Sequence, residues 1–253
     1  MIPTVLCIGG LDPSGGAGIA ADLKTATVME AYGMSLLTAI TVQHPGKVLR
    51  VAPLAASLVA DQLLCLIENM PIGAIKIGMM ATTEVAETLT QILTPLDCPV
   101  VIDPVRVATS GATLNSVEHD VFDRLLSTAT VITPNDSELT PCTGRTKPGR
   151  WAIDRGVAVL HTGGHRETDP ILDTLWLPNG THRQWAHPRV ETHHTHGSGC
   201  TLSTAIAVGL ARGLELVDAC DLAIRKTAQL IDASAHQNLV TTNGPLLHFK
   251  HFE

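Results

Sequence analysis

The stretch Thr195-His196-Gly197-Ser198-Gly199-Cys200-Thr201 lies late in the chain and leads directly into an apolar helical pattern. Two glycines flank a serine, so backbone N–H groups can approach a negatively charged group, toward which the following helix directs its positive end. Cys200 falls in the first helical turn, where a thiolate is favoured and a proton can be exchanged near neutral pH. The pattern predicts an anion site with a reactive thiol, but it also fits a glycine turn with a buried structural cysteine.

The composition limits the class of protein that contains this stretch. The chain has 253 residues, of which 45% are hydrophobic and 16% charged, as is typical of a globular protein with a substantial core. A net charge of −7 with scattered basic residues excludes an electrostatic surface for nucleic acid or an anionic membrane. The six cysteines have no metal-binding spacing, and no apolar segment is long enough to span a membrane. We therefore expect a cytoplasmic protein without nucleic-acid or membrane partners; a homodimer is compatible with the sequence.

Short apolar runs alternate with helical patterns along the chain. Predicted strands cover residues 4–8, 35–42, 74–77, 100–102, 131–133 and 157–161, and a hairpin starts at residues 172–177. Predicted helices cover residues 19–31, 54–70, 83–93, 117–126, 201–212 and 217–235. Little helix is expected between residues 135 and 163. The alternation predicts one α/β domain over residues 1–253, with a mostly parallel sheet between two layers of helices.

Glycines and polar residues follow most of the predicted strands. In open parallel sheets, ligands bind at the carboxyl ends of the strands. We therefore expect one crevice to be lined by Gly9, Gly10, Gln43, Gly78, Met79, Asp103, Asn135, Gly163 and Gly164. The sequence has no P-loop motif, and Gly16-Ala17-Gly18 fits a dinucleotide-binding fingerprint only loosely.

Several short motifs carry a resemblance that spans nearly the whole chain. They occupy residues 10–19, 21–25, 41–43, 76–79, 103–105, 132–135, 163–165, 195–202 and 244–249. In this order they resemble the hydroxymethylpyrimidine/phosphomethylpyrimidine kinases of thiamine biosynthesis, which belong to the ribokinase-like superfamily. The resemblance implies a ribokinase-like three-layer fold. It also implies ATP- and Mg²⁺-dependent phosphorylation of the hydroxymethyl group of 4-amino-5-hydroxymethyl-2-methylpyrimidine, and then of its monophosphate.

The same resemblance implies roles for individual residues. Gly197 and Gly199 would form the anion hole, with Cys200 as the catalytic proton acceptor. Pyrimidine contacts are implied for Gly10, Ala17, Asp22, Gln43 and Met79. ATP contacts are implied for Asn135, Thr162, Gly164, Thr195 and Ser198, and Mg²⁺ positioning for Asp103 and Glu138.

Three of these interpretations have ordinary structural alternatives. Asp22 also fits a charge that caps a helix. Asn135 and Glu138 also fit the end of a strand and the start of a helix. The neighbouring His193, His194 and His196 lack further ligands at zinc-binding spacing, so we expect exposed loop histidines.

The sequence also departs from the family pattern. The resemblance leads us to expect lysines at positions 162 and 109, where this chain has threonines. Arg106 or Lys147 is our hypothesis for the missing positive charge. Two other functions remain open at this point, a pyridoxal or pyridoxine kinase and a pyrimidine-binding relative that has lost catalysis.

Overall fold

The computed structural model describes residues 2–105, 116–164, 169–240 and 243–252. The strands are β1 (Thr4–Leu11), β2 (Tyr32–His44), β3 (Lys47–Pro53), β4 (Ala74–Ile77), β5 (Val100–Ile102), β6 (Val131–Ile132), β7 (Ala158–His161), β8 (Ile171–Trp176) and β9 (His182–His187). The helices are α1 (Gly18–Val28), α2 (Ala56–Asn69), α3 (Thr83–Leu93), α4 (His119–Leu126), α5 (Asp136–Thr143), α6 (Pro148–Arg155), α7 (Ser198–Ala211) and α8 (Leu216–Ser234). A 3₁₀ helix covers His248–Phe252.

The strands form one sheet in the order β3-β2-β1-β4-β5-β6-β7-β8-β9. The strands from β2 through β1, β4, β5 and β6 to β7 are parallel, whereas β3, β8 and β9 are antiparallel to their neighbours. The carboxyl ends of the parallel strands therefore meet at one edge of the sheet, as the sequence predicted. None of the helices in the described part of the chain is long and apolar enough to cross a membrane.

The apolar core lies on both faces of the sheet. Side chains alternate between faces along a strand, so Leu6 and Ile8 of β1 pack in one cluster with residues of α2, α3 and α4. Val5 and Cys7 of the same strand pack in a second cluster with residues of α1, α7 and α8. The predicted three-layer architecture is confirmed.

Several predicted elements are confirmed to the residue. Helix α3 and strands β4 and β5 have the predicted bounds. The predicted hairpin is formed by β8 and β9. A helix with clear apolar periodicity and two short, fully buried strands were therefore predicted most accurately.

The predicted glycine loop after residue 8 is wrong. Gly9 and Gly10 belong to β1 and pair with β2 across a register shift. A Cβ atom at position 10 would lie 2.7 Å from the Sδ atom of Met79. Glycine at position 10 therefore allows a close approach of Met79 to the strand.

The expectation of little helix between residues 135 and 163 is also wrong. Helix α5 begins with a capping box in which Asn135 and Glu138 exchange hydrogen bonds with each other's backbone. Helix α6 begins with Pro148, which is favoured in the first turn because it needs no acceptor there. Both helices are only eight residues long and bury few apolar side chains, so no apolar repeat is recognisable in their sequences.

Strand β3 was not predicted from the sequence. Pro45 and Gly46, interpreted as the end of a strand, form the turn of a hairpin between β2 and β3. Because β3 lies at the edge of the sheet, its side chains are partly exposed, and Leu49 is 62% exposed.

Candidate active site

A cavity of about 560 Å³ lies at the carboxyl edge of the parallel strands. It brings together all but one of the predicted site residues, namely Gly10, Ala17, Gln43, Met79, Asp103, Asn135, Glu138, Thr162, Gly164, Thr195, Gly197, Ser198, Gly199 and Cys200. Gly9 and Gly78 also line it. Asp22 and Gly163 do not belong to its lining. Most of the residues that the sequence predicted at the carboxyl ends of the strands therefore line one cavity, as expected.

The glycine stretch before α7 forms one wall of this cavity. Gly197 has a left-handed backbone with φ of 84°, and a Cβ atom there would lie 1.9 Å from the carbonyl oxygen of Gly16. Glycine is required at position 197 for both reasons. The N–H groups of Gly199 and Cys200 lie in the first turn of α7, where a helix has no carbonyl to accept from them. We call residues 197–200 the anion cradle.

An ion pair joins the anion cradle to the loop after β1. The Oδ2 atom of Asp12 lies 2.8 Å from Nε2 of His196, the residue before the cradle. The Asp12 carboxylate also accepts from the backbone N–H groups of Ser14 and Ala17. Burial alone would raise the pKa of Asp12, but the hydrogen bonds from His196 and Ser14 hold it well below its usual range. Asp12 therefore stays ionised and fixes the loop against the cradle.

The prediction that His196 is an exposed loop residue is wrong. His196 is 9% exposed, and its ring packs where a Cβ atom of Gly16 would otherwise lie. Its neighbour His194 is also engaged, because its Nδ1 accepts from the N–H of Gly244. The motif of residues 12–18 contained a sequence signal for a buried partner such as His196. An aspartate in a glycine-rich loop needs a partner if its side chain is to hold the loop in place.

The assignment of Asp22 as a pyrimidine contact is also wrong. Asp22 is fully buried in α1, and both of its carboxylate oxygens lie 2.9 Å from Nζ of Lys76. Thr204 of α7 donates a third hydrogen bond to it. Asp22 thus fixes the ammonium group of Lys76 without itself lining the cavity.

Lys76 is a site residue that the sequence reasoning missed. It lines the cavity although it is 1% exposed and lies in the fully buried strand β4. Burial alone would lower the pKa of Lys76, but Asp22, Cys200 and Asp103 raise it above its usual range. The missed signal was a lysine inside an apolar four-residue strand, because a buried charge needs a partner.

Cys200 is not the thiolate that its position at a helix start suggested. Burial, together with the nearby Asp22 and Asp103 carboxylates, raises the pKa of the Cys200 thiol to about 12. Lys76 and an N–H group of Gly18 act in the opposite direction but do not compensate. The predicted exchange of a proton near neutral pH is therefore wrong for the protein without ligand.

Asp103 and Glu138 form a pair of buried carboxyl groups beside the cradle. Burial raises the pKa of Asp103 to about 6. Burial and the Asp103 charge raise the pKa of Glu138 to about 7. The Oδ2 atom of Asp103 would lie 3.7 Å from a Cβ atom at Gly199, which places this carboxylate next to the cradle. The capping box also confirms the structural interpretation of Asn135 and Glu138, and both residues line the cavity as well.

The two ends of the cavity differ in character. At one end, Gln43 follows a bulge in β2, and Thr38 fixes Met79 by donating to its carbonyl oxygen at 2.6 Å. At the other end, apolar side chains surround the space beyond Thr162 and Gly164. These side chains are Ile171, Val190, Leu202, Ile224, Ala228 and Ile231. A flat polar ring suits the first end, and a larger apolar ring suits the second.

Arg106 and Lys147 were the two candidates for the missing positive charge. Lys147 is exposed at the start of α6 and does not line the cavity, so it does not supply that charge. Arg106 and Thr109 lie outside the described residues. Arg189 does line the cavity, and its Nη1 atom donates to the carbonyl oxygen of Gly164 at 3.3 Å.

Comparison with known proteins agrees with this arrangement. The family model described as phosphomethylpyrimidine kinase matches residues 12–246. The chain belongs to this family. The hydroxymethylpyrimidine/phosphomethylpyrimidine kinase of Streptomyces coelicolor is 38% identical over 223 residues, which cover 83% of this chain and 82% of the relative. The resemblance found in the motifs is thus confirmed.

Solved structures show the same fold. The phosphomethylpyrimidine kinase of Clostridium difficile has a TM-score of 0.76 at 32% identity, over 91% of this chain and 100% of that one. The pyridoxal kinase of Staphylococcus aureus in complex with ADP has a TM-score of 0.86 at 30% identity, over 98% of this chain and 94% of that one. The predicted ribokinase-like fold is confirmed, and this phosphomethylpyrimidine kinase family shares it with pyridoxal kinases.

The buried pair of Lys76 and Asp22 gives a stability prediction. Replacing Lys76 by Met leaves the Asp22 charge buried without a partner, and we expect a loss of about 3–5 kcal/mol in the free energy of unfolding. In the double variant Lys76→Met, Asp22→Asn the charge is removed, so more than half of this loss should be recovered. Urea unfolding at neutral pH measures both. Lys47→Met, at an exposed position, is the matched control, and equal losses in the single and double variants would contradict the interpretation.

The ion pair of Asp12 and His196 gives a second prediction. Asp12→Asn keeps the size of the side chain but weakens the charged hydrogen bonds to His196 and to the loop. We expect a loss of about 1–3 kcal/mol in the free energy of unfolding, together with a lower catalytic rate, because the anion cradle is less well positioned. Asp61→Asn, at an exposed position of α2, changes the same charge away from the cavity. Similar losses in the two variants would argue against a special role for Asp12.

Proposed function

We propose that this protein is an ATP-dependent kinase that phosphorylates the hydroxymethyl group of 4-amino-5-hydroxymethyl-2-methylpyrimidine, and then its monophosphate. One observation carries the proposal. The anion cradle of residues 197–200 belongs to a single cavity that is also lined by Gln43 and Met79, near the ends of β2 and β4, and by apolar side chains of α8 such as Ile224. Such an arrangement suits a pyrimidine and a nucleotide that meet at the phosphoryl group to be transferred. The names of the relatives support the same function.

Each part of the cavity has a role in this proposal. Gln43 has an amide that donates and accepts hydrogen bonds, which suits an aminopyrimidine edge. Gly10, Ala17 and Met79 shape the space for its ring. Asn135, Thr162, Gly164, Thr195 and Ser198 lie where the nucleotide phosphates would pass toward the cradle. The cradle N–H groups and Lys76 stabilise negative charge on the transferring phosphoryl group, which is the main source of catalysis in such reactions.

The carboxyl pair fits a magnesium ion. Asp103 and Glu138 are both buried, and the charge of Asp103 raises the pKa of Glu138, which a bound cation would counteract. The described residues contain no cluster of three or more groups that could hold a metal ion. Two carboxylates suit Mg²⁺, which usually keeps water or phosphate oxygens as its other ligands. When bound, Mg²⁺ would neutralise charge on the phosphates.

Cys200 is the proposed proton acceptor for the substrate hydroxyl. A primary alcohol loses its proton late in a loose phosphoryl transfer, so the acceptor does not have to ionise it in the ground state. Lys76 favours the thiolate, whereas Asp22 and Asp103 oppose it. A cation bound at Asp103 would offset this opposition and make the thiol more acidic than it is in the free protein.

Pyridoxal kinase is the second candidate function. The specific observation in its favour is the similarity to the pyridoxal kinase of S. aureus over 98% of the chain. The family model and the relative from S. coelicolor favour the pyrimidine. Both substrates carry a hydroxymethyl group on a flat ring, so the same cradle could serve either one.

A direct assay tests the choice of substrate. With ATP and Mg²⁺, we expect phosphorylation of the hydroxymethylpyrimidine and of its monophosphate, identified by mass spectrometry, with a higher kcat/KM than for pyridoxal. Gln43→Leu, which keeps the size of the side chain, should raise the KM for the pyrimidine by roughly 10-fold or more, because a hydrogen-bonding edge loses its partner. Faster turnover of pyridoxal would favour the second candidate. Tight pyrimidine binding without turnover would indicate a protein that has lost catalysis.

The role of Cys200 is tested by substitution. Cys200→Ala should lower kcat by about 10²–10⁴-fold, the usual contribution of a general base. Binding of the pyrimidine, measured by calorimetry, should change little, because the thiol acts on the proton and not on the ring. A small effect on kcat with a large effect on binding would instead assign Cys200 a packing role.

A further inference from the structure

His187 at the end of β9 has no role in the proposed function. It lines the cavity, and its Nε2 atom lies 3.1 Å from Oδ2 of Asp173 on β8. Asp173 is 5% exposed, and its other carboxylate oxygen accepts from the N–H of Gly163 at 2.8 Å. The imidazole is therefore fixed by a buried carboxylate that is itself fixed to the glycines after β7.

The other ring nitrogen of His187 has no partner in good hydrogen-bonding geometry, although the backbone carbonyl group of Pro188 lies close to the ring. Within the described residues, Nδ1 of His187 and Oγ1 of Thr227 are both buried without a partner. Both residues line the nucleotide end of the cavity, and Thr227 is 7% exposed. Buried polar atoms are almost always hydrogen-bonded in folded proteins. Two such atoms at one end of a cavity indicate that a bound molecule supplies the missing partners.

The charge of Asp173 adds a second argument. A carboxylate at this position would repel the phosphates of a nucleotide unless a neighbouring group compensated it. Thr162, next to Asp173 across β7 and β8, is uncharged. A protonated His187 compensates Asp173 through Nε2 and leaves Nδ1–H as a donor toward the cavity.

We propose that His187, held by Asp173, binds the phosphates of the nucleotide as an imidazolium, with Nδ1–H as the donor. This inference rests on the proposed use of ATP and adds His187 to the residues proposed to bind the nucleotide. The hydrogen bond that His187 donates to Asp173 raises the pKa of His187, so the charged form persists closer to neutral pH. Nucleotide affinity should be high at low pH and fall as the pH rises through that pKa.

Other charged groups lie near His187, and their effects on nucleotide binding must be distinguished from the effect of His187. Arg189 follows it by two residues and opposes its protonation. On α8, Asp221 pairs with Arg225 and accepts from Trp185 of β9. Asp103 and Glu138 lie across the same cavity and also titrate near neutral pH. These groups remain unchanged when His187 alone is replaced.

The test is ADP binding by calorimetry in the presence of EDTA, so that no metal ion contributes. His187→Gln keeps a donor near Asp173 but cannot become charged. At about pH 6 we expect this variant to bind ADP on the order of tenfold more weakly than the wild type. At about pH 8.5 the two should bind almost equally, because His187 is then neutral. Adenosine, which has no phosphate, should bind both proteins equally at each pH.

The controls separate this inference from the proposed function. His182→Gln, on the same strand but exposed, should bind ADP like the wild type. Equal ADP binding by the wild type and His187→Gln at both pH values would overturn the role of His187 alone. An equal loss for adenosine would overturn the phosphate contact. Failure of the wild type to bind ADP would overturn both the inference and the proposed use of ATP.

A measurement on the wild type guards against an unstable variant. The ring protons of His187 can be titrated by NMR with and without ADP. If the imidazolium binds phosphate, ADP must raise the pKa of His187, since a bound anion stabilises the charged ring. An unchanged or lowered pKa would overturn the inference.

Discussion

The Asp12–His196 ion pair joins two segments that are 184 residues apart in the chain. One is the loop between β1 and α1, and the other is the anion cradle at the start of α7. Gly16 and Gly197 allow these two backbone segments to come into contact. The Asp12–His196 pair can therefore fix the position of the cradle relative to the loop after β1. Asp12 and His196 both line the cavity, so this contact fixes part of its wall.

Charges of opposite sign are balanced around the cradle over short distances. Asp22 forms an ion pair with Lys76, and the Asp103 carboxylate lies next to Gly199. Burial, together with the Asp22 and Asp103 carboxylates, keeps the Cys200 thiol protonated. Around the cradle of the protein without ligand, carboxyl groups therefore outnumber the cation Lys76. A bound cation and a phosphoryl donor would together change this distribution of charge.

The sequence predicted the parallel sheet, its helical layers and most residues of the cavity, because strand polarity alone brings strand ends together. It failed where the outcome depended on a partner far away in the chain. Asp22 was interpreted as a substrate contact and His196 as a surface residue, since Lys76 and Asp12 could not be matched to them by spacing. Only the start of helix α5 was foreseen, at Asn135 and Glu138, because the rest of the helix has no apolar repeat.

The protonation of Cys200 has a consequence for the chemistry of the protein in a living cell. A thiol with a pKa of about 12 is almost entirely uncharged at neutral pH, and uncharged thiols react slowly with peroxides and alkylating agents. Among the described cysteines, Cys65 on α2 is the exposed one. A reactive reagent would therefore mark the outer surface of α2 before it reached the anion cradle. Burial and the nearby carboxylates suppress the acidity of this thiol, and they therefore also make it slow to react with oxidants.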